Sequence, residues 1–155
     1  MYDNSFEGVV FADDTEVAGA SGTSEQILKS FSVPANSLNK NGQALRIKAL
    51  FKHAANTDNV NFRLYFGGSS IATGNKATSG ELLELEMLVS RRAAGSQLVW
   101  ASGQESNGPA IFAPALTAGS DDETTALLIK ATVTGGTSGV DGLCESLRVE
   151  FLQAP

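Results

Sequence analysis

The chain has 155 residues, with 11 Lys and Arg against 17 Asp and Glu, a net charge of −6. This length suits one domain, or one domain with a short arm, and can bury roughly 70% of the surface that the unfolded chain exposes, without a metal or disulfide. The acidic balance argues against a general nucleic-acid binder, which needs a basic face to release counterions, and against an anionic membrane surface.

Cys144 is the only cysteine, so no intramolecular disulfide is available, and it reads as a buried, inert thiol rather than a nucleophile. The start, MYDNSFEGVVFADD, lacks a basic region followed by an apolar run and does not read as a signal peptide. No apolar run nears the roughly 20 residues of a membrane helix. Synthesis and folding in a cytoplasm are expected.

In chain order, residues 1–22 read as an N-terminal arm or linker. Phe6, Val9, Val10 and Phe11 suggest a short strand, and Ala18 to Gly22 a flexible link. Tyr2, Phe6 and Phe11 favour an arm that adds to a neighbouring subunit over a frayed end. Residues 23–155 read as one sandwich domain. Glu25 to Val33 is its first clear strand, with Ile27, Phe31 and Val33 on one face and Lys29 intruding; Pro34 ends it. Ala44 to His53 alternates Leu45, Ile47, Ala49 and Phe51 against Arg46, Lys48 and Lys52. Val60 to Phe66 alternates Val60, Phe62, Leu64 and Phe66 against Asn61, Arg63 and Tyr65. Period-two alternation marks a sheet with one buried face. After the turn at Gly67-Gly68, Ser70 to Thr73 is a short strand.

The run after Gly80, ELLELEMLVSRR, contains good helix formers. Its alternation of Leu83, Leu85, Met87 and Val89 with Glu84, Glu86, Leu88 and Ser90 nevertheless predicts a strand. Gln97 to Ser102 carries Leu98 and Trp100, the latter expected in the core. Ala110 to Leu116, broken by Pro114, belongs at an edge or is irregular. Thr124 to Thr134 sets Leu127, Ile129, Ala131 and Val133 against Leu128, Lys130, Thr132 and Thr134. Leu143 to Gln153 closes the domain with Leu147, Val149 and Phe151 inward. About eight to ten strands with turn chemistry between them predict an all-β fold, a jelly-roll or Greek-key β-sandwich.

Candidate chemistry is sparse. His53, the only histidine, has just Cys144 as a further soft ligand and reads as a surface or interface residue. No G-x-S-x-G elbow is present. Asp121, Asp122 and Glu123 lack calcium-loop spacing and read as a solvated acidic turn. Glu81, Glu84 and Glu86 resemble the surface acids of many strands more than a glycosidase pair. No catalytic residue, metal or cofactor is expected. The informative feature is apolar residues on nominally wet faces: Leu50, Tyr65, Leu82, Leu88, Leu128 and Leu152. Together with the arm aromatics Tyr2, Phe6 and Phe11, they imply an outer surface covered by a sister copy, a partner or the arm. A deeper two-sided core is the other explanation.

The run TSEQILKSFSVPANSLNKNGQALRIKALFKHAANTDNVNFRLYFGGSSIAT is similar to structural proteins encoded in tailed-bacteriophage genomes. Those carry a threonine-glutamate before a strand, "vPAnsL", "nG..LrI.a", an asparagine-rich loop and "v.l.fGG..i". The matching positions are Ser24-Glu25, Val33 to Leu38, Asn41-Gly42, Leu45-Arg46-Ile47 and Phe66-Gly67-Gly68, with Leu147 to Glu150 also in keeping. The resemblance spans about residues 23–152 and implies a jelly-roll virion protein that assembles as a homotrimer. It suggests a capsid decoration or cement protein that binds the major capsid protein at the capsid surface. The alternative is a tail-fibre or receptor-binding tip, with tail proteins or a host-surface glycan as partners, Trp100 and Tyr65 contacting the sugar. An enzyme, nucleic acid and membrane are not expected.

Overall fold

The computed structural model describes residues 8–19, 22–73, 79–106, 110–136 and 140–153, with backbone alone for 110–115. Every regular element among them is a strand. In order they are β1 (Gly8–Asp13), β2 (Val17–Ala18), β3 (Glu25–Val33), β4 (Ala44–His53), β5 (Asn61–Phe66) and β6 (Ser69–Ala72). Then follow β7 (Leu82–Ala93), β8 (Ser96–Glu105), β9 (Ala110–Gly119), β10 (Leu127–Thr134) and β11 (Gly142–Leu152). The larger sheet runs β1-β11-β4-β7-β8-β9, with β2 also paired to β11; the smaller runs β3-β10-β5-β6.

Eight of these strands form one long hairpin rolled on itself. β1 pairs with β11, β3 with β10, β4 with β7 and β5 with β6, all antiparallel. Successive pairs fall alternately in the larger and the smaller sheet. That is a jelly roll, so the all-β sandwich expected from alternation is the fold that forms. The β8–β9 hairpin is inserted between β7 and β10. It widens the larger sheet by two strands, and β9, which contains Pro114, lies at the sheet's edge as expected.

The core lies between the sheets. The inward sets of β4, β5, β7 and β10 predicted from alternation are all buried. Phe51 of β4 stacks on Phe62 of β5 across the gap, ring centroids 4.8 Å apart. β7 is a strand despite its helix formers because pairing with β4 sets Leu85, Met87 and Val89 beside Ala49, Ile47 and Leu45. Tertiary burial of one face outweighs intrinsic propensity. The β5–β6 turn needs Gly67: its φ is 52°, and a Cβ there would collide with the Asp121 carboxylate.

Several sequence expectations are corrected. Ile27, expected inward, is 58% exposed. The β3–β10 ladder sets Ala131 opposite Lys29 but Thr132 opposite Ile27. This bulge adds Leu28 to the inner face, so Leu28 and Lys29 are both buried, and alternation reverses beyond it. His53, expected at the surface, is fully buried. Trp100, expected in the core, is partly exposed on the outer face. Within residues 1–22, β1 and β2 are hydrogen-bonded to the chain's own β11, while residues 1–7 lie outside the described residues. Eleven strands exceed the expected number because this N-terminal stretch supplies two.

Candidate interaction surface

Cross-strand register turns the outer face of the larger sheet into rows of neighbours. One row is Val9, Glu150, Arg46, Leu88, Trp100 and Leu116, one residue from each of six strands. The row beside it is Leu152, Ala44, Ser90, Leu98 and Ala118. Toward β11 and β4 these rows meet a lattice of ion pairs. Arg46 lies 3.2 Å from Glu150 and 3.6 Å from Glu86; Lys48 lies 2.8 Å from Glu86 and 3.5 Å from Glu84. Arg148 reaches Asp14 at 2.8 Å. The Glu86 hydrogen bond raises the Lys48 ammonium above its ordinary value. That half of the face is charged and internally paired.

The half on β7, β8 and β9 is different. Leu88, Leu98, Trp100, Leu116 and Ala118 form an apolar field at the inserted hairpin, interrupted by Ser90. Leu116 is 61% exposed. The field spans β7 and the two strands added to the jelly-roll framework, and a contiguous apolar field is informative where a single exposed leucine is not.

The nine residues anticipated as interface do not form one patch. Leu50, Leu82, Leu88 and Leu152 lie on the outer face of the larger sheet, Tyr65 and Leu128 on that of the smaller, across the sandwich. Phe11 faces inward and stacks on Phe31, centroids 4.7 Å apart. Tyr2 and Phe6 lie outside the described residues. Sequence reasoning missed Leu98, Leu116 and Val9, and placed Trp100 inside. On β8 both alternating sets are apolar, Leu98 and Trp100 against Val99 and Ala101, so periodicity does not choose between them. The buried set even includes Gln97.

Tyr65 is held within its own sheet. Its hydroxyl donates to Glu25 Oε1 at 2.8 Å, and the Lys130 ammonium sits 4.3 Å from its ring centroid, a cation–π contact. Burial pushes the Glu25 carboxyl up, but hydrogen bonds from Thr132 and Tyr65 and the charge of Arg63 outweigh it and leave the group below its usual range.

The residues weighed for chemistry have structural duties. The His53 ring nitrogens each lie 2.8 Å from a backbone carbonyl, Nδ1 from that of Ala54 and Nε2 from that of Asp58. Asp121 accepts the Gly68 N–H at 2.7 Å and so clamps the β5–β6 turn. Asp122 accepts the Thr124 N–H and hydroxyl. Glu123, far from solvated, is 5% exposed and accepts from Gly95 and Gln97. Burial pushes the Cys144 thiol up to about 12, consistent with an inert cysteine. Among the described residues no cluster of His, Cys, Asp or Glu is placed to hold a metal ion.

No protein-family model matches the chain, and no curated protein is similar to it. One solved structure that is similar is the CBM2 module of the evolved Dit of Lactobacillus casei BL23 phage J-1. The two are 9% identical, the match covers 78% of this chain and 67% of that one, and the TM-score is 0.34. A likeness that distant assigns no function.

Proposed function

We propose that the chain is a non-enzymatic structural subunit of a virion that associates through the outer face of its larger sheet, in the first reading as a trimeric decoration protein of the head shell. One observation carries the association: the apolar field of Leu88 on β7 with Leu98, Trp100 and Leu116 on the inserted hairpin, Leu116 exposed and the other three partly so. The virion setting rests on the resemblance of residues 23–152 to tailed-phage structural proteins. In this reading each copy adds buried apolar area across joints of the shell, and the mechanism is mechanical. The test measures molar mass in solution and mixes the protein with undecorated shells. An oligomer that co-sediments with shells at micromolar concentration supports the reading. A monomer that stays in the supernatant overturns it.

A second reading, a tail or receptor-binding tip that recognises a host-surface glycan, is favoured by Trp100. An indole on the outer face offers a stacking surface to a sugar ring, which a core tryptophan does not. A glycan array separates the readings: binding lost in Trp100→Ala selects the tip, and a blank array with shell binding selects the decoration protein.

A further inference from the structure

On the outer face of β8, Trp100, Ser102 and Gln104 follow one another at alternate positions, opposite Leu88, Glu86 and Glu84 of β7. Alternate residues of a strand stand about 7 Å apart, so the row spans about 14 Å. The Trp100 indole N–H, the Ser102 hydroxyl and the Gln104 amide hydrogen-bond to no other described side chain or backbone group. The β4 side of the same face is the reverse, since Arg46 and Lys48 are already paired with Glu86 and Glu150. At its Gln104 end the row opens into a cleft of about 250 Å³, lined by Leu50, Leu82, Glu84, Gln104, Glu105 and Ser106. That lining holds carboxylates and apolar side chains but no basic one.

We propose that this row and its cleft form one groove for an uncharged glycan, laid along β8 with one ring on Trp100 and a later ring in the cleft. The inference rests on the reading of the chain as a glycan-recognising tip, and adds to it the class and the course of the ligand. Three features select an uncharged sugar chain. An indole offers a flat apolar surface to the C–H face of a ring and a donor to a hydroxyl. The Ser102 hydroxyl and the Gln104 amide each donate and accept, which matches sugar hydroxyls that do the same. Glu84 and Glu105, on a chain of net charge −6, accept from hydroxyls but repel a carboxylated or sulfated ring. Leu50 and Leu82 give the cleft its apolar wall, as small-molecule sites combine apolar lining with a few placed polar groups.

The test is titration calorimetry with neutral hexose and N-acetylhexosamine oligomers of increasing length, beside sulfated and uronic-acid oligomers. The expected result is binding of neutral oligomers that tightens as the chain grows beyond one ring, with the anionic ones excluded. Trp100→Ala should abolish this binding. Gln104→Ala, at an exposed position, should weaken it about three- to tenfold, the worth of one neutral hydrogen bond. Three outcomes each overturn the groove while leaving the tip reading on Trp100 alone. They are an affinity that Gln104→Ala leaves unchanged, one that does not grow with chain length, and equal binding of the anionic oligomers. Binding of no sugar at all overturns the tip reading and the groove together.

Discussion

The ammonium of Lys29 lies 2.9 Å from Asp13 Oδ1, with the lysine side chain only 1% exposed. It also donates to the carbonyls of Asp13 and Thr15. One buried cation on β3 therefore ties the β1–β2 connection to the smaller sheet. Lys29 shares the inward parity of Phe31 and Val33, and the bulge beside it adds Leu28 to the same inner face. A buried charge survives only where it is paired and hydrogen-bonded on all sides, and here an ion pair and two carbonyls meet that need.

Removing this latch should loosen the N-terminal strands. Lys29→Ala strands two carbonyl oxygens and empties the volume of the side chain, costing about 2–4 kcal/mol, or roughly 5–15 °C in Tm for a chain of this length. Lys29→Met keeps most of the volume and should lose less. Hydrogen exchange of β1 and β2 amides should rise most. Equal exchange in both variants and the parent would show that Lys29 does not hold these strands.

Acid should unfold the chain partly through Glu123. Burial alone raises its carboxyl, but hydrogen bonds from the Gly95 N–H and the Gln97 amide, with Arg91 3.6 Å away, outweigh burial and hold it below the usual range. A depressed folded value means that its stabilisation is complete above the unfolded value, about 4.3. It is lost as pH falls through the folded value. Glu123→Gln should cost about 1–3 kcal/mol at neutral pH and flatten the decline below about pH 4.5. Thermal melts of both proteins between about pH 2 and 6 decide it; parallel declines assign the acid limb to other carboxylates.

The Cys144 thiol should be silent in the native state. With its value pushed up to about 12 by burial, the neutral form is favoured by folding. That contribution is whole below the unfolded value, about 8.5, and fades as pH climbs toward the folded one. A thiol reagent at about pH 8 should label one site per chain after denaturation and essentially none before. Rapid labelling of folded protein would place the sulfur in a different environment.

On the outer face, Leu116→Glu should leave stability within about 0.5 kcal/mol, because the side chain is mostly in solvent. The same change puts a charge into the apolar field and should abolish association through it. Molar mass by light scattering reads the outcome. An unchanged oligomer alongside an unchanged Tm would move the interface off the β8–β9 hairpin.

The strand content, the inward sets of β4, β5, β7 and β10 and the edge position of β9 were legible in residue order alone. Side-chain direction on a strand follows parity, a local property, and a proline at 114 excludes a central strand by its missing donor. Parity fails where it is broken or symmetric. The bulge at Leu28 reverses it, which exposes Ile27 and buries Leu28. On β8 both phases are apolar, so only packing against the smaller sheet decides that Val99 turns in and Trp100 out. His53 and Glu123 look solvated in sequence because a polar side chain carries no mark of its partners. The carbonyls of Ala54 and Asp58, and the Gly95 N–H and Gln97 amide, become those partners only when the folded backbone brings them within hydrogen-bonding distance, and that is a tertiary event.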